Sequence, residues 1–349
     1  MLYRRGLWII ALCALGLVLP AVGQDTKDKS KDKTKEKAPT EKVAAGQDKG
    51  AVLKWKFEKD KPFYQEMTTT TQQTMKVMNS DVTQNQSQTF YFSWTPTGQD
   101  KDGNWTLKQK IEGVKMSIDI GGNKIEYDST KDSAAANNPL SDFFKQLVGS
   151  EFKLTIDKDT LKVKDISGRT EFIKKLAQAN PQMEPLLNQI LSDQALKEMA
   201  DPTFAAVPNK DVSKGATWTR DSKLNMGPIG SYDNTYKYTY EGKDDKQKNL
   251  DRIKVDTTLK YTPPAEAQGA TNPLPFKIKS ANLTSSDAGG TILFNQDKGR
   301  IESSDLSLTL KGELSIEIGG TTTKVDLNQK QTTKVTTTDT QPAGLKKAA

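Results

Sequence analysis

The sequence predicts a β-rich α+β protein, with one or more large antiparallel sheets in two related β-halves and a helical insert between them. Apolar and polar residues alternate at period two in residues 51–136 and again in 208–338, as in strands with one buried face. Apolar residues between these regions recur at helical spacing. In addition, each half contains a strand that runs into a Gly-Gly pair.

Residues 1–23 predict a signal peptide that is cleaved between Gly23 and Gln24. Two arginines precede an apolar stretch at residues 7–19, and small residues precede the cleavage position. This stretch is shorter than the roughly 20 apolar residues that span a bilayer, and no later segment approaches that length. We therefore expect an exported protein, periplasmic or extracellular, with no transmembrane segment after signal cleavage. The arginine pair leaves both the general and the twin-arginine export routes open.

The next segment, residues 24–50, predicts a disordered Lys/Asp-rich linker. It contains eight lysines, six acidic residues and no aromatic residue. Such a segment buries too little apolar surface to offset the entropy lost on ordering. Residues 339–349 are likewise predicted to be a disordered tail.

The first β-half, residues 51–136, contains three runs of alternating residues. Their apolar members are Leu53, Trp55 and Phe57; Phe90, Phe92 and Trp94; and Val114, Met116, Ile118 and Ile120. The threonine run from Thr68 to Thr71 is predicted to lie on exposed strand faces, since β-branched residues favour strands.

The insert, residues 137–207, predicts several short helices. An asparagine followed by Pro139 is typical of a helix start, and Gly149 ends the first apolar stripe. A last turn or two precedes Asp201-Pro202. The stripes contain Leu140, Phe143, Phe144, Leu147 and Val148; Phe172, Ile173 and Leu176; Met183, Leu186, Leu187, Ile190 and Leu191; and Leu196 and Met199.

One hairpin interrupts these helices. Apolar residues alternate from Phe152 to Ile156 and again at Leu161 and Val163, with a short polar turn between them. We therefore expect a pair of strands within the insert.

The second β-half, residues 208–338, repeats a feature of the first. Residues 116–122 and 314–320 each place alternating apolar residues before two glycines, which supply the positive φ angles of a tight hairpin. The similarity indicates related halves, arranged either as one large sheet or as two packed subdomains.

Composition excludes several classes of active site. The chain has no histidine, and its single cysteine, Cys13, lies in the signal peptide. Ser-His-Asp and Cys-His triads, Cys/His zinc sites and disulfides are therefore excluded for the mature chain. We predict no catalytic residues, no cofactor and no metal, so a non-enzyme is the first expectation, and a site built on carboxylates stays open as an alternative.

The charge pattern argues against a nucleic-acid partner. The net charge of +7 falls to about +5 when the two arginines of the signal peptide are removed, and lysines alternate with acids throughout. The partner is unknown; an envelope component or an apolar ligand remains open.

Two resemblances bear on these expectations. The segment at residues 208–218, Phe294-Asn295 and Gly299-Arg300-Ile301 resemble a family of uncharacterised exported bacterial proteins that share a domain of unknown function. This family implies no catalytic residues. The pattern of alternating strands with a few apolar helices is also similar to periplasmic lipoprotein carriers, whose curved sheet holds acyl chains around a helical plug. That second similarity implies an architecture only.

Three functions remain open at this point. The first hypothesis is a non-enzymatic binding or scaffold protein of the cell envelope, which predicts a dry, filled interior. The second is a periplasmic carrier of a lipid or other apolar ligand, which predicts an apolar cavity of several hundred Å³. The third is a carboxylate-dependent enzyme acting on glycans, which predicts a cleft with two facing carboxylates. For the carrier, the candidate lining residues are Phe143, Phe144, Leu186, Leu187 and Ile190.

Overall fold

The computed structural model describes residues 50–77, 80–131, 139–265 and 274–345. The predicted signal peptide, its cleavage between Gly23 and Gln24, and all but the last residue of the predicted linker lie outside the described residues. Four residues at the end of the predicted tail lie outside them as well.

Fourteen strands are described in these ranges. They are β1 (Ala51–Leu53), β2 (Phe63–Val77), β3 (Ser80–Gln99), β4 (Trp105–Ile120), β5 (Asn123–Asp128), β6 (Glu151–Ile156), β7 (Val163–Ser167), β8 (Lys210–Val212), β9 (Thr217–Asn225), β10 (Ser231–Lys243), β11 (Asp251–Thr262), β12 (Lys277–Asn295), β13 (Arg300–Ile318) and β14 (Thr321–Thr338).

Four α-helices lie between β5 and β8 in the chain. They are α1 (Pro139–Leu147), α2 (Arg169–Ala179), α3 (Glu184–Ile190) and α4 (Asp193–Ala205). Short 3-10 helices occupy Pro181–Met183 and Gly227–Ile229. None of the helices in the described ranges is long and apolar enough to cross a membrane.

The two β-halves form one open antiparallel sheet, which decides between the two arrangements that the sequence left open. Its twelve strands include the path β7-β6-β4-β3-β2-β14-β13-β12-β11-β10-β9, and β5 pairs with the distal part of β4. The halves join where β2 pairs with β14 along their length, for example Gln65 with Thr337. β1 and β8 form a separate two-stranded sheet. The predicted β-rich α+β class is confirmed.

The hairpin inside the insert belongs to this sheet. β6 pairs with the first part of β4, and β7 forms the edge beyond it. β7 begins at Val163 and does not include Leu161, which was expected to pair. Leu161 has a positive φ of 59° and lies in the turn.

Both Gly-Gly hairpins are confirmed. Gly121 and Gly122 have φ angles of 55° and 87°, and Gly319 and Gly320 have 57° and 83°. Two consecutive positive φ angles match the right-handed twist of the flanking strands. The strands that follow differ in length, because β5 has 6 residues and β14 has 18.

The threonine run is not wholly exposed, which corrects the prediction from composition. Thr69 and Thr71 are 2% and 1% exposed, whereas Thr70 faces solvent. Successive side chains of a strand point to opposite faces, so an unbroken polar run necessarily sends every second side chain inward.

Helix α4 is longer than predicted, since it continues through Pro202 to Ala205. Donors from β9 and from the segment after β1 satisfy the carbonyl groups at its C-terminal end. Trp55 Nε1 donates to Phe204 O at 3.1 Å, Arg220 Nε to Ala205 O at 3.1 Å, and Trp218 Nε1 to Ala206 O at 3.0 Å. These bonds pair the carbonyls that every helix end leaves open, and they fix α4 against the sheet.

The same helix bridges the two edges of the large sheet. Asp201 accepts a hydrogen bond from the backbone N–H of Val163 in β7. On the opposite side, Glu198 accepts from Ser222 Oγ in β9 at 2.7 Å. The sheet therefore curves until its two edge strands lie on either side of α4, which covers backbone groups that would otherwise be open to pairing.

Candidate ligand cavity

A cavity of about 930 Å³ lies between the concave face of the large sheet and the four helices. Protein interiors normally leave few voids larger than a water molecule. At roughly 30 Å³ per water-sized unit, this space corresponds to roughly 30 non-hydrogen atoms. Its volume falls in the range of pockets that bind small organic ligands.

The helical wall contains all five candidate lining residues from the sequence. Phe143 and Phe144 lie on α1, and Leu186, Leu187 and Ile190 lie on α3; each contacts the cavity. Residue spacing explains this placement, because positions three and four apart share one helix face. Whether a ligand occupies the space between them stays a prediction.

The sheet wall is also largely apolar. It includes side chains from every strand of this sheet except β5 and β9. Its apolar and aromatic members are Met67, Phe90, Phe92, Trp94, Ile111, Met116, Ile118, Phe152, Ile166, Tyr236, Tyr238, Val255, Ile292, Ile301, Leu306 and Val335. Phe90 and Phe92 stack with ring centroids 5.8 Å apart, so their faces form a continuous surface.

The cavity reaches the protein surface near α1 and the end of α2. Asp142, Pro181 and Gln182 belong to its lining, and all three are exposed. We call this region the mouth. Among the described lining residues, Asp142 is the single carboxylate, and no lysine or arginine contacts the cavity.

Three glutamines on the wall were missed by the sequence reasoning. Gln65, Gln86 and Gln88 line the cavity and are at most 5% exposed. The signal was present as glutamines at period two in β3, where Gln84 precedes Gln86 and Gln88. It was overlooked because polar residues in a strand are usually assigned to the solvent face.

A second, water-sized pocket of about 20 Å³ adjoins the cavity beside α4 and β9. It is lined by Asp201, Arg220, Tyr236 and Tyr238, among others, and the two tyrosines also contact the large cavity. Burial raises the pKa of both tyrosine hydroxyls, so they remain protonated across the physiological range.

Asp201 has an unusual environment in this small pocket. Withdrawal from water raises the pKa of its carboxyl to about 6, and the charge of Glu198 acts in the same direction. The hydrogen bond from Val163 N–H and the charges of Lys162 and Arg220 oppose the rise. Asp201 therefore changes charge near neutral pH while it holds α4 to β7.

Neither a metal-ligand cluster nor a carboxylate pair is found at the cavity among the described residues. They contain no group of three or more His, Cys, Asp or Glu residues that could hold a metal ion. A glycoside hydrolase needs two carboxylates across its cleft, and the described lining of the large cavity supplies one. The arrangement is suited to enclosing an apolar molecule.

Comparison with solved structures gives weak similarities. A structure of lipid–protein interactions in lipovitellin matches with a TM-score of 0.42 and 12% identity, over 84% of this chain and 27% of that one. The chain thus spans about a quarter of the lipovitellin chain. The Pseudomonas aeruginosa protein OccK5 (OpdH) matches with a TM-score of 0.20 and 6% identity, over 81% of this chain and 100% of that one.

Sequence comparison gives a clearer result. No curated protein matches the chain. A family model described as a family of unknown function, DUF6263, matches residues 102–301. The match runs from the turn before β4 to the second residue of β13, and so includes all four helices of the cavity wall.

Proposed function

We infer the function of this chain, which belongs to the DUF6263 family of unknown function, from its cavity: we propose an exported carrier that binds a lipid or another largely apolar ligand. The single observation that supports this proposal is the cavity of about 930 Å³ between sheet and helices. Its walls are aromatic and aliphatic, with few polar groups.

An acyl chain is favoured in this cavity over water. The cavity opens at the mouth and its walls are mostly apolar, so an apolar ligand that displaces water from them removes apolar surface from hydration. Each methylene of an acyl chain that moves from water into the cavity contributes about 0.8 kcal/mol of transfer free energy.

The cavity also ranks the three functions that the sequence left open. The scaffold hypothesis predicted a filled interior, whereas the carrier hypothesis predicted an apolar cavity of several hundred Å³. The glycan-enzyme hypothesis required two facing carboxylates, and only Asp142 is found among the described lining residues. The carrier therefore accounts best for the interior.

Export is the second part of the proposal. It is supported by the signal-like residues 1–23, with cleavage between Gly23 and Gln24, and places the carrier in the periplasm or outside the cell. An apolar molecule in an aqueous compartment needs a protein shell to travel, so the location and the cavity are consistent with each other.

The test is native mass spectrometry of the protein purified from its own cell envelope, followed by organic extraction and lipid analysis. We expect a co-purifying acyl species at near-stoichiometric amount. We expect the Leu187→Trp variant to lose this acyl species. Leu187 is 2% exposed, and the larger tryptophan side chain would project into the cavity.

The matched control is Glu184→Trp, which adds the same side chain to the exposed side of α3. We expect this variant to retain the bound species. A clean apo mass for the unmodified protein, together with no binding of added lipid, would contradict the carrier proposal. Equal retention by both variants would show that the ligand lies elsewhere.

A further inference from the structure

A cluster of buried glutamines lies on the concave face of the sheet, where the strands of the two halves meet. We call Gln73, Gln84, Gln86, Gln88 and Gln329 the glutamine belt. All five are between 1% and 4% exposed. Cross-strand register places them side by side, since Gln73 pairs with both Gln84 and Gln329.

The belt is continuous with the ligand cavity. Gln86 and Gln88 contact the cavity directly. Gln84 lies two residues before Gln86 on the same strand, so its side chain points to the same face. The belt therefore reaches the cavity through Gln86 and Gln88, which give a largely apolar wall a polar section.

Most of the hydrogen-bonding capacity of the belt is unused. Gln84 Nε2 donates to Gln86 Oε1 at 3.2 Å, and Gln86 Nε2 donates to Gln88 Oε1 at 3.5 Å. Both amide atoms of Gln73 and of Gln329, Gln84 Oε1 and Gln88 Nε2 have no hydrogen-bond partner among the residues that the structure describes. Buried polar groups are almost always paired, so the open Nε2 of the lining residue Gln88, with the other open amide atoms of the belt next to it, indicates a polar ligand group.

The charges around the cavity restrict the chemistry of that group. No lysine or arginine is found among the described lining residues, and the carboxylate of Asp142 lies at the mouth. A carboxylate or phosphate buried here would lose its hydration without gaining a cation. Neutral hydroxyl and N–H amide groups can both donate to and accept from the free amide atoms of the belt, and an ester carbonyl can accept from them.

We propose that the glutamine belt binds the uncharged polar head of an amphipathic lipid, of the glyceryl-ester or fatty-amide class, whose chain fills the apolar cavity. This inference rests on the proposed carrier function and adds the class of head group to it. The carrier selects neutral lipids over fatty acids with the same chain.

The test compares monoolein with oleate, which share one acyl chain and differ in the head group. Each ligand displaces a neutral naphthylamine fluorophore from the purified protein at about pH 8, below the concentration at which the lipid aggregates. We expect monoolein to bind at least about tenfold more tightly, the factor that one or two additional hydrogen bonds supply.

The variant Gln88→Met tests the belt itself, because methionine is unbranched and apolar and lacks the amide. We expect it to lose most of the preference for monoolein and to keep its affinity for oleate. Gln72→Met is the matched control, since Gln72 is exposed on the other face of β2 and its replacement should change neither affinity.

The outcomes separate the two proposals. Equal affinity for both lipids, or a preference for oleate, would overturn the head-group inference and leave the carrier function in place. Binding of neither lipid and no uptake of the fluorophore would overturn both. A preference for monoolein that survives Gln88→Met and is matched by Gln72→Met would show that the belt is not its source.

Discussion

Replacement of Asp201 by asparagine should raise the free energy of unfolding relative to wild type at neutral pH. This advantage of the variant should shrink as the pH falls. Asp201 holds α4 to β7 through the N–H of Val163, and the pKa of its carboxyl is raised from 3.8 to about 6, chiefly by burial. A raised carboxyl pKa means that the folded state binds the proton more tightly than the unfolded state. The stabilising contribution is therefore present at low pH and is lost as pH rises from about 4 to about 6.

The magnitude follows from the two pKa values. A shift of about 2 units corresponds to at most about 3 kcal/mol between fully protonated and fully ionised conditions. At about pH 4.5 roughly 1 kcal/mol of this is already lost, and above about pH 7 nearly all of it is lost. Asparagine has the shape of the neutral acid, keeps an oxygen for the Val163 N–H and does not ionise.

The assay is urea unfolding of wild type and Asp201→Asn at several values between about pH 4.5 and about pH 7.5. Taking the difference in unfolding free energy between the two proteins cancels the contribution of the other titrating groups. This difference should grow by about 2 kcal/mol in favour of the variant as pH rises. A difference that does not depend on pH would refute the reasoning, as would a gain by wild type at higher pH.

Three further outcomes follow from the fold and the cavity. Trp218→Phe should lower the free energy of unfolding by about 1–3 kcal/mol, measured by urea titration, because it leaves the buried Ala206 carbonyl without its donor; an unchanged midpoint would show that water replaces the indole. Gly290→Ala should prevent or strongly impair folding, since its Cβ would overlap the carbonyl oxygen of Asp305, whereas Gly319→Ala meets no atom within 4 Å and should cost only about 1–2 kcal/mol of left-handed strain. Circular dichroism of the two soluble fractions measures this difference, and equal strand content in both variants would contradict it. Monoolein at about 100 times its dissociation constant should stabilise the folded protein by about 2.7 kcal/mol, seen as a raised melting temperature, and Leu187→Trp should abolish that rise while Glu184→Trp preserves it.

Local patterns in the sequence predicted the elements of the fold. Period-two alternation identified the long strands, and helical spacing placed Phe143 and Leu187 on helix faces directed to the interior. The Gly-Gly pairs at the ends of β4 and β13 identified two tight turns, because glycine has no Cβ and adopts positive φ angles at little cost. These features depend on interactions between near neighbours in the chain, which a single sequence records.

Long-range pairing and the cavity were decided by the tertiary structure. Nothing local indicates that Gln65 in β2 lies opposite Thr337 in β14, or that the hairpin β6–β7 extends the main sheet beside β4. Alternation shows that two faces of a strand differ, but not which molecule or element covers each one. In the sequence, Gln73 and Gln84 therefore have the pattern of solvent-facing residues, whereas in the structure the curved sheet buries them.

By itself, the sequence determined the β-rich class, the helical insert and the absence of histidine chemistry from a chain with a single cysteine. Only the tertiary structure decided that the helices stand away from the sheet and leave about 930 Å³ between them. The physical reason is that a cavity is the volume that packing fails to fill. It depends on the relative positions of elements far apart in the chain, whereas the apolar stripes that line it have the same pattern as those of a filled core.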